Sequence, residues 1–192
     1  MNARCSISSA IDPETIVEFW RQAGPERWFA ADNAFDQLIR ERFEPLHMQA
    51  AQGMLAAWEA SAGGTLALLL LTDQFPRNLY RGNAHAFSTD ALARATAARG
   101  IASGFDRAFD PALRPFFYLP FMHDEDMASQ LRTLVLYERL VTDGGDREGL
   151  KFARLHADLI MRFGRFPHRN AMMGRISTPE ETAYLTEGGF AG

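Results

Sequence analysis

A chain of 192 residues, 47% of them hydrophobic and 23% charged, is long enough to close an apolar core without a disulfide or a structural metal. Its formal charge of -4 argues against a general binder of nucleic acid or anionic membrane, and its longest apolar runs, 66–71 and 116–122, fall far short of the roughly 20 residues of a transmembrane helix. Residues 1–10 lack the apolar segment of a secretory signal, and Cys5 is the lone cysteine, so a cytoplasmic, reducing compartment is expected and no intrachain disulfide can form.

Helical punctuation dominates from the start. Asp12-Pro13-Glu14 reads as an N-cap, a first-position proline and a first-turn acid, opening a helix with Ile16, Phe19, Trp20 and Ala23 on one face and Gly24-Pro25 at its end. A second helix is expected over about 33–43 with Phe35, Leu38 and Ile39 inward. Pro45 should then start a third, carrying Leu46, Met54, Leu55 and Trp58 up to Gly63-Gly64. The run 65–71 is apolar on every side, and its leucines favour a buried helix over a strand. Ser88 or Thr89 caps a helix closed by Gly100, whose alanines (91, 93, 95, 97, 98) allow a close neighbour. The stretch 104–120, broken by Pro111, Pro115 and Pro120, reads as irregular.

A long helix is expected over about 124–141, with Asp124 as cap and Met127, Leu131, Leu134 and Val135 as its buried stripe. Phe152, Leu155, His156, Leu159, Ile160 and Phe163 then mark the cleanest amphipathic helix. Thr178-Pro179-Glu180-Glu181 caps the last. The chain therefore reads as one all-α domain spanning 1–192, with about eight helices, a core over about 11–187, and mobile ends at 1–10 and 188–192.

One turn module occurs twice. Gln74-Phe75-Pro76-Arg77-Asn78 is echoed 91 positions later by Arg165-Phe166-Pro167-His168-Arg169-Asn170, and each reaches a glycine soon after (Gly82, Gly174). A residue before proline is pushed out of the α region, so Phe75 and Phe166 should each end a helix and pack back as plugs, with the prolines opening short new helices.

These segments carry a resemblance. Residues 71–82 (LTDQFPRNLYRG), Leu119-Pro120-Phe121-Met122-His123 with Glu125, and 163–170 (FGRFPHRN) resemble the signature of a bacterial family catalogued as domain of unknown function 924. The similarity runs over about 11–185. It implies a tetratricopeptide-like superhelical stack of helices and no activity, since that family has none assigned. The 34-residue tetratricopeptide consensus itself is absent, and the family more often has serine where this chain has Asp124.

Of the 20 basic residues, Lys151 is the single lysine and the other 19 are arginine. Arg77/Arg81 and Arg165/Arg169 are i,i+4 pairs of like charge, which need anionic counterparts or open solvent. Two readings stand open. In one, the arginines form an internal network with Asp73 and the acid run Asp124-Glu125-Asp126, while Asn78 and Asn170 bond turn backbone. In the other, Arg77, Asn78, Arg81, Arg165, His168, Arg169 and Asn170 line a concave site for an anionic small molecule or acidic peptide. A different class of function is a metal-free hydrolase of a negatively charged substrate, with His123 working beside Asp73 or Glu125. His123, Glu125, His156 and His168 have the residue types of a metal site, but HExxH-type spacing is absent and His156 lies on an apolar face, so neither metal nor cofactor is expected. Lysine should serve at Arg21, Arg40, Arg94, Arg99, Arg132 and Arg154, which read as solvent-facing, but not at the four module arginines.

Overall fold

Apolar periodicity and capping predict helices throughout, and the computed structural model, which describes residues 12–145 and 147–190, is all-α: every regular element among the described residues is helical. The expected leader with Cys5, and Ala191 and Gly192 of the tail, lie outside the described residues.

Helix α1 (Pro13–Ala23) begins as its sequence dictates. Asp12 accepts the Thr15 N–H at 2.8 Å, and the helix stops at Gly24, whose φ of 74° suits glycine. After the short α2 (Pro25–Trp28), helix α3 (Asn33–Ala51) corrects the expectation that Pro45 begins a new helix, because Pro45 lies inside it. Its apolar face runs unbroken through Phe35, Ile39, Phe43, Leu46 and Ala50. Packing of that face outweighs the cost of an interior proline, about 3 kcal/mol. Gly63-Gly64 likewise does not end a helix. Both belong to the first turn of α4 (Ala62–Leu69), capped by the Ser61 hydroxyl, and a Cβ on Gly64 would collide with the Trp58 carbonyl.

Helix α4 is apolar all round and packs against α1 and two later helices, α6 (Asp90–Ala102) and α7 (Pro115–Met122). Gly100 sits within α6, not at its end, and with the buried Ala93, Thr96 and Ala97 forms the close-packed face. The stretch expected to be irregular contains α7, buried on every side, with Pro115 at its first position and Pro120 tolerated inside. Trp20, Phe43, Phe75 and Phe116 meet in the core: Trp20 lies 5.5 Å from Phe75 and 5.6 Å from Phe116, and Phe43 stacks on Phe75 at 5.2 Å.

Helix α8 (Met127–Thr142) is capped by Asp126, not Asp124, and buries Gln130, Thr133, Leu136, Tyr137 and Leu140, while of the stripe predicted Met127 and Leu134 are partly buried against the core. Leu131 and Val135 face outward. The physical reason is Gln130, whose amide donates to the carbonyls of Met122 (2.9 Å), the last residue of α7, and Asp124 (2.6 Å), just beyond it. Burying that polar group satisfies a helix end, which fixes the rotation of α8. Helix α9 (Arg147–Phe163) packs along α8, and the cap predicted at Thr178 opens α10 (Pro179–Thr186), where it forms a reciprocal capping box with Glu181. A smaller core of Leu159, Ile160 and Phe166 closes this end. The Phe190 ring rests on His156 at 5.0 Å and His168 at 5.3 Å.

Candidate functional site

Pro76 has no N–H to return to the Thr72 carbonyl four residues earlier. The chain passes it without a break. A π turn, Leu70–Gln74, leads directly into α5 (Phe75–Leu79), and the Phe75 N–H bonds to the Leu70 oxygen. Phe75 therefore stays in the α region, whereas Phe166 takes the extended backbone expected before proline and leads into a 3-10 turn, Pro167–Arg169. Around the π turn three successive carbonyls receive side-chain donors: Leu71 from His47 Nδ1 at 2.8 Å, Thr72 from the Thr89 hydroxyl at 2.6 Å, and Asp73 from the Arg77 guanidinium. Single π turns inside helices recur at functional sites, and this one positions Asp73, which is 1% exposed.

Asp73 Oδ1 lies 2.8 Å from Nδ1 of His123, the residue that ends α7, while Gln74 Nε2 donates to Oδ2 at 2.5 Å. Arg77 Nη1 stands 3.3 Å from Asp73 Oδ1 and its guanidinium forks onto Asp90, at the start of α6, through bonds of 3.1 and 3.2 Å. Arg169 arrives from the second module. It donates to the His123 carbonyl at 2.9 Å and stacks over the rings of Phe87 (4.5 Å) and Phe166 (4.6 Å). Its Nη1 is 4.0 Å from Asp90, but its Nε is buried without a partner among the described residues, as are His168 Nδ1 and Asn170 Oδ1.

Two arginines thus face two aspartates around one histidine. Burial alone would raise the Asp73 pKa, but the Arg77 charge and the bonds from His123 and Gln74 overcome it, so the carboxyl lies below its usual range. An ionised carboxylate only accepts, which places the His123 proton on Nδ1 and leaves the Nε2 lone pair. Burial, with the Arg77 charge added, pushes His123 down to about 4 against the pull of Asp73. Nε2 has no protein partner among the described residues, and the side chain keeps 14% exposure. Burial first, then Arg77, brings Arg169 down to about 10.

The other sequence-predicted residues fall into separate groups. Arg81 and Asn78 share Asp36, at 3.0 and 3.1 Å from the guanidinium and 2.7 Å from the amide. Arg165 and Asn170 share Glu181, which accepts two bonds from the arginine (2.6 and 2.8 Å), one from the amide (3.1 Å) and one from the Thr178 N–H (2.7 Å). Glu125 binds Arg175 and the Phe166 N–H rather than His123. Asp124 pairs with Arg94 and the Ser129 hydroxyl. His168 stacks on Phe166 at 5.6 Å. The acceptors Asp36, Asp90 and Glu181 escaped the sequence reading as partners. Glu181 was visible there as a cap residue, and nothing in its spacing to Arg165 marks the pair. Among the described residues no three His, Cys, Asp or Glu are grouped to hold a metal ion.

A family model described as "Bacterial protein of unknown function (DUF924)" matches residues 16–189. The chain is also similar to the solved structure of a protein of unknown function from Agrobacterium tumefaciens, with 48% identity, coverage of 92% of this chain and 97% of that one, and a TM-score of 0.87. No curated protein matches.

Proposed function

The chain belongs to the bacterial family of unknown function DUF924, and from that premise we propose that it is a hydrolase of a negatively charged substrate, with His123 as general base. One observation carries this reading: a fully buried Asp73 fixes the His123 tautomer at 2.8 Å and leaves Nε2 without a partner among the described residues, where the Nε of the neighbouring Arg169 has none either. Arg169 would take the substrate anion. Arg77 is already forked onto Asp90, and its part is to hold the two aspartates in place. In the reaction a water gives its proton to Nε2 as its oxygen bonds to the electrophilic carbon or phosphorus. The same proton then passes to the leaving oxygen as that bond breaks, while Asp73 stays ionised and stabilises the imidazolium between the two transfers.

The test is turnover on a panel of phosphomonoesters and carboxylate-bearing esters. His123→Ala should lower kcat about 10²–10⁴-fold, and Arg169→Ala should act mainly on KM. The pH profile of kcat/KM should rise through about 4, as His123 loses its proton, and fall near about 10, as Arg169 does. Turnover indifferent to both substitutions would refute the assignment. The unpartnered Arg169 Nε also supports a second reading, a non-catalytic binder of an anionic small molecule or acidic peptide. That reading expects binding to be lost in Arg169→Ala, kept in His123→Ala, and unaccompanied by turnover.

A further inference from the structure

A cavity of about 310 Å³ opens where the carboxyl ends of α6 and α8 meet the 3-10 turn Phe105–Ala108. Its volume is at the small end of ligand sites, roughly 300–1,000 Å³. Three guanidiniums line it. Arg114 is fixed, donating from Nε to the Phe109 carbonyl at 2.9 Å and from Nη1 to Asp143 at 2.8 Å. Arg107 and Arg139 have no hydrogen-bond or ion-pair partner among the described residues. Asp106, which also lines the cavity and is 6% exposed, is engaged by the Tyr118 hydroxyl at 2.7 Å. Burial and that bond raise the Tyr118 pKa, so the hydroxyl keeps its proton and goes on occupying the carboxylate. Leu136 and Leu140 supply an apolar wall. Positive charge near two helix carboxyl ends is accounted for by the helix dipoles. An arginine-lined hollow with an apolar wall is not.

We propose that this cavity binds a small organic oxyanion, a carboxylate or phosphate carried on a short apolar body. Arg107 and Arg139 grip the anionic group from two sides, with the planar donor geometry that suits both headgroups, and Leu136 and Leu140 meet the body. The site is separate from His123 and Arg169 and does not depend on how those residues act.

The experiment is an amide NMR titration of the full chain with butyrate and, separately, with butyl phosphate. Saturable shifts are expected at the amides of Ala102 and Gly104, which line the cavity, and the anion giving the tighter saturation identifies the headgroup. Arg107→Gln with Arg139→Gln should weaken that binding by about tenfold or more. Both side chains are on the surface, so the fold should persist, as an unchanged thermal melt would verify. Arg154→Gln, at an exposed position of α9, should leave the affinity unaltered. The proposal is overturned if neither anion shifts Ala102 or Gly104 up to about 10 mM, if the double variant binds as the parent does, or if the shifts are confined to the amides of His168 and Arg169.

Discussion

Among the module arginines, Arg77 has the most to lose on replacement. Its guanidinium meets the Asp73 carbonyl, the Asp73 carboxylate and both oxygens of Asp90, and all of this lies within the folded chain. A lysine ammonium cannot fork onto a carboxylate. Arg77→Lys should therefore leave part of a buried acid pair unsatisfied and cost about 2 kcal/mol of stability, while Arg154→Lys should change it by less than about 0.5 kcal/mol, both read from urea unfolding. The expected division into module and solvent-facing arginines is redrawn by the structure. Arg99 forks onto Glu59 at 2.6 and 2.7 Å, Arg21 pairs with Asp110, Arg94 with Asp124, Arg40 with Glu44, and Arg132 lies over the Phe121 ring. The need for counter-charges was legible at the i,i+4 arginine pairs. Asp73, four residues from Arg77, was legible too, but the partners of Arg81 and Arg165 were not, because Asp36 lies 45 residues from Arg81 and Glu181 16 residues from Arg165, and only tertiary packing joins them.

At the scale of elements, local signals succeeded at some helix ends, though the cap expected at Asp124 formed at Asp126, and failed where packing decided the outcome. The caps at Asp12 and Thr178 formed as their sequences predict. Pro45, Pro120 and Gly100, each read as a boundary, lie within helices, because continuous apolar faces on both sides hold the chain through them. Pro76 stands in the first turn of the short α5, as expected, but follows the π turn without a break. Gly100 makes the competition measurable. Alanine there would gain about 1 kcal/mol of helix propensity, but its Cβ would fall 2.8 Å from Thr65 Cγ2 and 3.2 Å from the Phe117 ring. Overpacking of that kind costs about 1–3 kcal/mol. Gly100→Ala should therefore be destabilising by about 1 kcal/mol, visible as a lower urea midpoint at unchanged slope.

For the molecule as a whole, the histidines set the response to acid. Burial, chief among the causes, pushes His123, His156 and His168 each down to about 4, and lowers His47 as well. The unfolded chain takes up protons on these groups near their ordinary value of about 6.5, which the folded chain resists. Their contribution is thus fully present above about 6.5 and is lost as the pH falls toward 4. Glu181, held down to about 2 by Arg165 and its other donors, adds a second loss below about 4.5. The urea midpoint should fall most steeply between about pH 6.5 and pH 4, where only the unfolded chain protonates these histidines, and more gently below, where Glu181 carries the loss. A midpoint flat across that interval would mean that the histidines are not held neutral, and His123 could not then be the base described above.

The π turn also fixes the length of the chain at this point. A π turn amounts to an α-helix carrying one supernumerary residue. Deleting a residue there, Leu71 for instance, would leave an ordinary helix with equally good apolar content, yet everything after the deletion would be turned by about 100° relative to everything before it. Leu66 and Leu69 could keep their places in the core only if Asp73 and Phe75 gave up theirs. Substitutions along this segment are graded by size and polarity. A change in its residue count is not graded at all: it separates Asp73 from His123 and Phe75 from Trp20 in one step.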